Sequence, residues 1–187
     1  MLDRFSRYPR IIVELGMGDG RLLEALAKRD LSSLYIGIEL DADYCMQAQS
    51  RIALSNIFIL CGSFEDIVPT FPDGSIDRFI VVLPDPAYID EKKQDGWKPF
   101  YGMVYSKLKP RGTLELVTEI TDELLQPLCD DAYSRWACWL RTTFLSIGFS
   151  LKSQRSDAPA QYSSRCLDQF RGDPDRIRIS TLELAKP

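Results

Sequence analysis

IIVELGMGDG, residues 11–20, decides the fold. Ile11, Ile12 and Val13 form a short β-branched run of the kind that fills a strand buried on both faces. The run ends at Glu14, and glycines follow at every second position, Gly16, Gly18 and Gly20. A helical apolar pattern then begins with Leu22, Leu23, Leu26 and Ala27. Strand, glycine turn and helix in that order open a cofactor crevice at the carboxyl end of the first strand of an α/β sheet. Glu14 narrows the ligand. A helix N-terminus attracts a pyrophosphate, but a carboxylate beside it repels one and suits a cation. S-adenosyl-L-methionine (SAM), with its ammonium and sulfonium, fits that charge. A glycine turn alone also serves phosphate binding or packing, but the spacing here is Glu-x-Gly-x-Gly-x-Gly rather than GxGxxG.

Outward from this loop, short apolar runs alternate with amphipathic stretches, the pattern of a parallel sheet with crossover helices. Strands are predicted over 11–15, 34–40, 57–61, 78–83 and 113–118, with a last pair near 150–153 and 178–183 closing the sheet. Helices are predicted over 21–29, 43–54, 64–70, 98–108 and 122–147. Pro72-Asp73-Gly74 and Pro110-Arg111-Gly112 mark turns before the fourth and fifth strands, and Gly148 ends the long helix. Trp136, Trp139, Leu140, Phe144 and Leu145 read as the packing face of that helix. The expected fold class is α/β, a doubly wound, mostly parallel seven-stranded sheet, with residues 1–187 as a single domain.

The composition excludes several classes of chemistry. Histidine is absent, which removes His-based triads and most zinc catalysis, so no metal is expected. Five cysteines, Cys45, Cys61, Cys129, Cys138 and Cys166, show no CxxC spacing and read as reduced thiols of a cytoplasmic protein. Neither a signal-peptide core nor a run of about 18 apolar residues is present, so no membrane is expected. The net charge of −4 argues against broad phosphate binding. The segment from Lys152 to Arg178 carries more cations than acids, and reads either as a local basic face or as a solvated loop.

Further candidate residues sit at strand ends. Glu39 follows the second strand, where an acid accepts hydrogen bonds from ribose hydroxyls; a solvated strand-end acid is the plain alternative. Ser63 and Phe64, after the third strand, would border an adenine, and Ser63 equally reads as a helix N-cap. After the fourth strand, Pro84 and Pro86 bracket Asp85 in a stiff, extended turn, which aims a carboxylate at a planar base beside the cofactor. The polar stretch 89–97 reads as a loop that closes over a substrate, with Lys92 or Lys93 on a phosphate, or as a solvated loop.

With these pieces in order, the chain resembles the tRNA (guanine-N7) methyltransferases. The motifs are VELGMGDGRLLEALAKR, YIGIEL, NIFILCG, FPDGSIDR with LPDPAY, and LKPRGTLELVTE. The resemblance implies a Rossmann-like class I methyltransferase fold with an antiparallel last strand, SAM over the glycine loop, and RNA, tRNA above all, as partner. It implies Glu14 and Glu39 as cofactor ligands, Asp85 as the central active-site carboxylate, and Glu119, beyond the fifth strand, as a substrate ligand. Pro86 and Tyr88 fall beside the substrate, and Ser164-Arg165-Cys166-Leu167 stands for the family's C-terminal substrate element. Where the family continues Pro-Asp-Pro-Trp into a basic run, this chain has Ala87, Tyr88 and Ile89. Asp85-Pro86-Ala87-Tyr88 also resembles the Asp-Pro-Pro-Tyr motif of exocyclic-amine methyltransferases, and LGMGDGR resembles the ribosomal RNA adenine-N1 methyltransferases of aminoglycoside resistance. Small-molecule and ribosomal RNA methylation, and SAM binding without catalysis, remain the alternatives. The sequence leaves monomer and homodimer open.

Overall fold

A computed structural model describes residues 7–121, 129–163, 165–173 and 176–187. Seven strands form one sheet in the order β3-β2-β1-β4-β5-β7-β6. They are β1 (Arg10–Leu15), β2 (Ser33–Glu39), β3 (Ile57–Cys61), β4 (Ile76–Val82), β5 (Leu108–Thr121), β6 (Ser150–Arg155) and β7 (Ile177–Ala185). The first five run parallel, and β7 lies antiparallel between β5 and β6. The order reverses at β1, where β2 pairs on one side and β4 on the other. A crevice opens at the carboxyl ends of strands at such a reversal.

The described helices are α1 (Arg21–Arg29), α2 (Ala42–Arg51), α3 (Phe64–Ile67), α4 (Gln94–Lys107), α5 (Asp130–Ile147) and α6 (Arg165–Arg171). Both faces of the sheet are covered, which is why β1 needs apolar residues in succession. Ile11, Val13 and Leu15 pack with Trp97, Tyr101, Val104, Leu140 and Phe144 of α4 and α5. Ile12 packs on the opposite face with Leu22, Leu23 and Ala27 of α1, together with Tyr162 and Leu167. Among the described residues, no helix is long and apolar enough to cross a membrane.

The strand and helix order follows the sequence expectation, with several local corrections. Helix α4 begins at Gln94 rather than at Lys98, with Pro99 inside it. Residues 89–97 are therefore no open loop: a 3-10 turn over Glu91–Lys93 leads directly into α4. Ile89 and Trp97 are buried there, and the indole Nε1 donates to the Asp90 carbonyl at 2.9 Å. The helix expected over 64–70 breaks into α3 and a 3-10 turn over Val68–Thr70, where Pro69 lacks the N–H that would continue it. The long helix is described from Asp130; its expected start, 122–128, lies outside the described residues. Strand β5 is longer than expected and includes Glu119, which pairs with Ile179. Helix α6, with seven residues, is too short to show a periodic pattern and was not expected.

Gly37 fixes how the glycine loop sits on the sheet. A Cβ there would overlap Met17 Sδ and lie 2.8 Å from Leu23 Cδ2. Bare backbone in β2 thus lets Met17 and the first turn of α1 rest against the strand. Gly37→Ala is expected to cost about 1–3 kcal/mol through overpacking, with Tm falling by about 2–4 °C per kcal/mol for a chain of this size. Calorimetry of the unliganded variant checks this; an unchanged Tm would mean that Met17 moves aside freely.

Candidate active site

The loop between β1 and α1 is built by backbone. Gly16, Gly18 and Gly20 all have left-handed φ, at 70°, 54° and 73°. L side chains rarely adopt that conformation. The Gly16 and Met17 amides both donate to the Ile38 carbonyl, at 2.9 and 3.1 Å, which ties the loop to the end of β2. At Gly16 and Gly18 an added Cβ would meet nothing within 4 Å, so the loop is bare toward open space.

Three carboxylates surround this loop. Glu39 is engaged on both oxygens: Oε2 accepts from the Gly18 amide at 2.8 Å and Oε1 from the Asp41 amide at 2.9 Å. It is a brace for the loop rather than a solvated strand end, yet a carboxylate has about four acceptor positions and keeps some for a ligand. Glu14 is 3% exposed and lies near the Leu23 amide in the first turn of α1. The N-cap residue of α1, Gly20, has no side chain with which to cap the helix. The second Glu14 oxygen, Oε2, is buried without a partner. Burial first, then the charges of Asp19 and Glu39, push the Glu14 carboxyl up to about 8.

Beside the loop lies a cavity of about 230 Å³. Gly16 and Glu39 form one wall, Leu83, Pro84 and Asp85 another, and Phe64, Tyr88 and Phe100 an aromatic one. Phe64 sits 5.1 Å from the Tyr88 ring and 5.0 Å from Phe100, centroid to centroid. Ser63 acts as the N-cap of α3, its Oγ accepting from the Glu65 amide at 3.1 Å. Leu83 adopts a left-handed φ of 53°, a costly conformation for a leucine. Its amide is held by the Val117 carbonyl at 2.8 Å, and the reversal turns Pro84 and Asp85 across the strand end.

The stiff turn around Asp85 has a second part that the sequence reading did not include. Asp85 is the N-cap of a 3-10 turn over Pro86–Tyr88, with Oδ1 accepting from the Ala87 amide at 2.7 Å. Pro86 opens that turn, where a missing N–H costs nothing. Asp85 is exposed. Glu119 is buried, with Oε2 unpartnered. Burial, and to a smaller degree the charge of Asp85, push its carboxyl up to about 7.

The structure therefore brings Gly16, Glu39, Phe64, Asp85 and Tyr88 to one cavity. Glu14 stands behind the loop, and Glu119 lies within reach of the Asp85 charge. Ser164 lies outside the described residues, as does the side chain of Arg165. The sequence reading missed Leu83, Phe100 and Tyr101 as cavity walls. The two aromatics lie within the helix expected over 98–108, but the pattern did not tell which face meets the crevice, and the backbone reversal at a leucine left no signal.

The sheet order, the antiparallel β7 and the crevice over the glycine loop define a class I methyltransferase fold. A family model described as "Putative methyltransferase" matches residues 9–139, and the chain belongs to that family. Among curated relatives, a tRNA (guanine-N(7)-)-methyltransferase of Yersinia pestis (strain Pestoides F) is 28% identical over 121 residues, 62% of this chain and 51% of that one. The chain thus spans about half the length of such relatives. Among solved structures, the 16S rRNA methyltransferase KamB superimposes with a TM-score of 0.73 at 15% identity, covering 100% of this chain and 93% of the other. A 16S rRNA (adenine(1408)-N(1))-methyltransferase of Catenulisporales acidiphilia, solved with its cosubstrate SAM, gives 0.66 at 15% identity, covering 99% and 89%.

Proposed function

We propose that this protein is a cytoplasmic, SAM-dependent methyltransferase, a single domain that methylates guanine N7 in tRNA. The observation that carries the reading is the shared cavity: a bare glycine loop braced by carboxylates on one side and the Asp85 carboxylate on the other. The curated relative named as a tRNA (guanine-N(7)-)-methyltransferase supports the acceptor.

The residues present fit SAM. Asp19 and Glu39 make the loop's surroundings anionic, which suits a cationic donor, and the buried Glu14 Oε2 lacks a partner. Glu14 and Glu39 would hold the donor with the Gly16, Gly18 and Gly20 backbone, and Ser63 and Phe64 would flank its adenine. Bound SAM supplies an electrophilic methyl group on a sulfonium. The rest is positioning. Guanine N7 carries an in-plane lone pair and no proton, so no general base is needed. Asp85 would accept from the guanine N1–H or amino group, with Pro86 and Tyr88 beside the base and Glu119, Ser164 and Arg165 on the substrate side. Such orientation contributes about 7–11 kcal/mol to a bimolecular reaction.

Labelled SAM incubated with RNA lacking modifications, followed by nucleoside analysis, tests the reading. 7-Methylguanosine is expected. A methyl group on an exocyclic amine would favour the second reading, for which Tyr88 at the cavity wall speaks. Tight SAM binding with no transfer to any RNA would leave a binding protein without catalysis.

A further inference from the structure

Two thiols lie next to Glu39, a wall of the same crevice. Cys45 is buried in α2 and Cys61 is exposed at the end of β3. Cys61 is the register partner of Glu39 across the β2–β3 pair, so both side chains project to one side of the sheet. There Cys45 Sγ donates to the Glu39 carbonyl at 3.4 Å, and Cys61, the neighbour of Glu39 in the sheet, lies close enough to the Cys45 thiol to influence its titration. The Gln49 amide reaches Cys61 Sγ at 3.9 Å. The Glu39 carbonyl also accepts from the Gly62 amide at 2.8 Å, next to Ser63 and Phe64. The remaining three cysteines, Cys129, Cys138 and Cys166, are exposed.

We propose that Cys45 and Cys61 are a modification site, a dithiol that small-molecule disulfides such as oxidised glutathione convert to an intramolecular disulfide, weakening the grip of the crevice on SAM. The exposed Cys61 thiolate attacks one sulfur of the small disulfide; a Cys61–glutathione bond forms, and one glutathione leaves as a thiolate. Cys45 then loses its proton to solvent and attacks Cys61 Sγ, forming the internal disulfide and expelling the second glutathione. Two protein thiols are oxidised, and one small disulfide is reduced to two thiols. A disulfide holds its sulfurs about 2.05 Å apart, closer than any unbonded pair, so closure draws the start of α2 toward the end of β3. It also removes the S–H that Cys45 gives to the Glu39 carbonyl. Glu39 and the turn carrying Ser63 and Phe64 sit on the two segments being drawn together. Burial pushes the Cys45 thiol up to about 12, so ring closure is the slow step and speeds up as pH rises.

The effect on SAM rests on the function proposed above; the disulfide does not. The full-length protein carrying Cys129→Ser, Cys138→Ser and Cys166→Ser is treated with oxidised glutathione and examined by intact mass, peptide mapping and calorimetric titration with SAM. The expected product has lost two hydrogens, yields a peptide joining residues 45 and 61, and binds SAM about tenfold more weakly, about 1.4 kcal/mol. Dithiothreitol restores both properties. Adding Cys45→Ala should leave a stable glutathione adduct on Cys61 instead. A stable adduct with Cys45 intact would overturn the proposed dithiol, and a joined peptide with unchanged SAM affinity would overturn its control of the crevice. Absence of SAM binding in the reduced protein would instead count against the cofactor reading.

Discussion

Asp85→Asn is expected to leave SAM affinity within about twofold while turnover on RNA falls by about a hundredfold, the usual loss when a reacting group is no longer held in line. The choice of Asn matters. Asp85 Oδ1 caps the 3-10 turn over Pro86–Tyr88 through the Ala87 amide, and Asn caps about as well as Asp. The turn, and with it Tyr88 at the cavity wall, should therefore stay in place. What Asn lacks is a second acceptor, because one side of its amide offers only donors. A guanine N1–H or amino group then meets an N–H instead of a carboxylate oxygen. Asp85→Ala should lose the same activity and in addition about 1 kcal/mol of stability with the cap. Single-turnover rates at saturating SAM, alongside thermal melts of both variants, separate the two effects. Near-native turnover in Asp85→Asn would reduce Asp85 to a capping residue and leave base orientation to Tyr88 and Glu119.

Glu14→Gln is expected to stabilise the unliganded protein at alkaline pH and at the same time to weaken SAM binding by about tenfold or more. The Glu14 carboxyl is held at about 8 in the fold, against 4.5 when unperturbed. Between those values the folded chain keeps a proton that the unfolded chain has released. Stability attributable to this group is therefore full below about pH 4.5 and falls as pH rises toward 8. Gln is uncharged throughout and close to Glu in size, so the variant should lose this slope. Its Tm should exceed the wild-type value above pH 8, and the two should converge near pH 5. For the ligand the sign reverses: a cation bound at the loop gains from a charged Glu14 and nothing from an amide. Melting curves across pH 5–9 and calorimetric titration with SAM check both halves. A variant less stable than wild type at every pH would mean that Glu14 is charged and paired in the unliganded fold.

Much of this was legible in the chain because the signals are local and repeated. The β-branched run at Ile11–Val13, the left-handed glycines and the apolar spacing of α1 each point to the same strand, turn and helix. Glu39 was legible as a strand-end acid, but its bond to the Gly18 amide joins residues 21 apart in sequence and depends on how β1 and β2 pair. The stretch before α4 misled because its polar surface hides two anchors. Charged Asp90, Glu91, Lys92 and Lys93 dominate the composition, while the order comes from Ile89 and Trp97 buried at either end. Trp97 stacks on Phe144 with ring centroids 6.0 Å apart, a contact to a helix more than forty residues later. Leu83 shows the other limit. No residue preference announces a left-handed leucine; the surrounding strands impose it, and Asp85 owes its direction to that imposition.

The placement of β7 has a consequence for how the chain comes to be folded. The last strand in sequence is not at an edge: it lies between β5 and β6 and joins them, with antiparallel ladders on both sides. The half made of β3, β2, β1 and β4 can pair as soon as residue 82 is available. The other half cannot, because β5 and β6 share no ladder of their own. During synthesis the cofactor half would be assembled first, with the outer edge of β5 open until residues 177–185 arrive. An open strand edge invites pairing with other chains. That window on the ribosome adds an open edge, along β5, that the finished sheet no longer has.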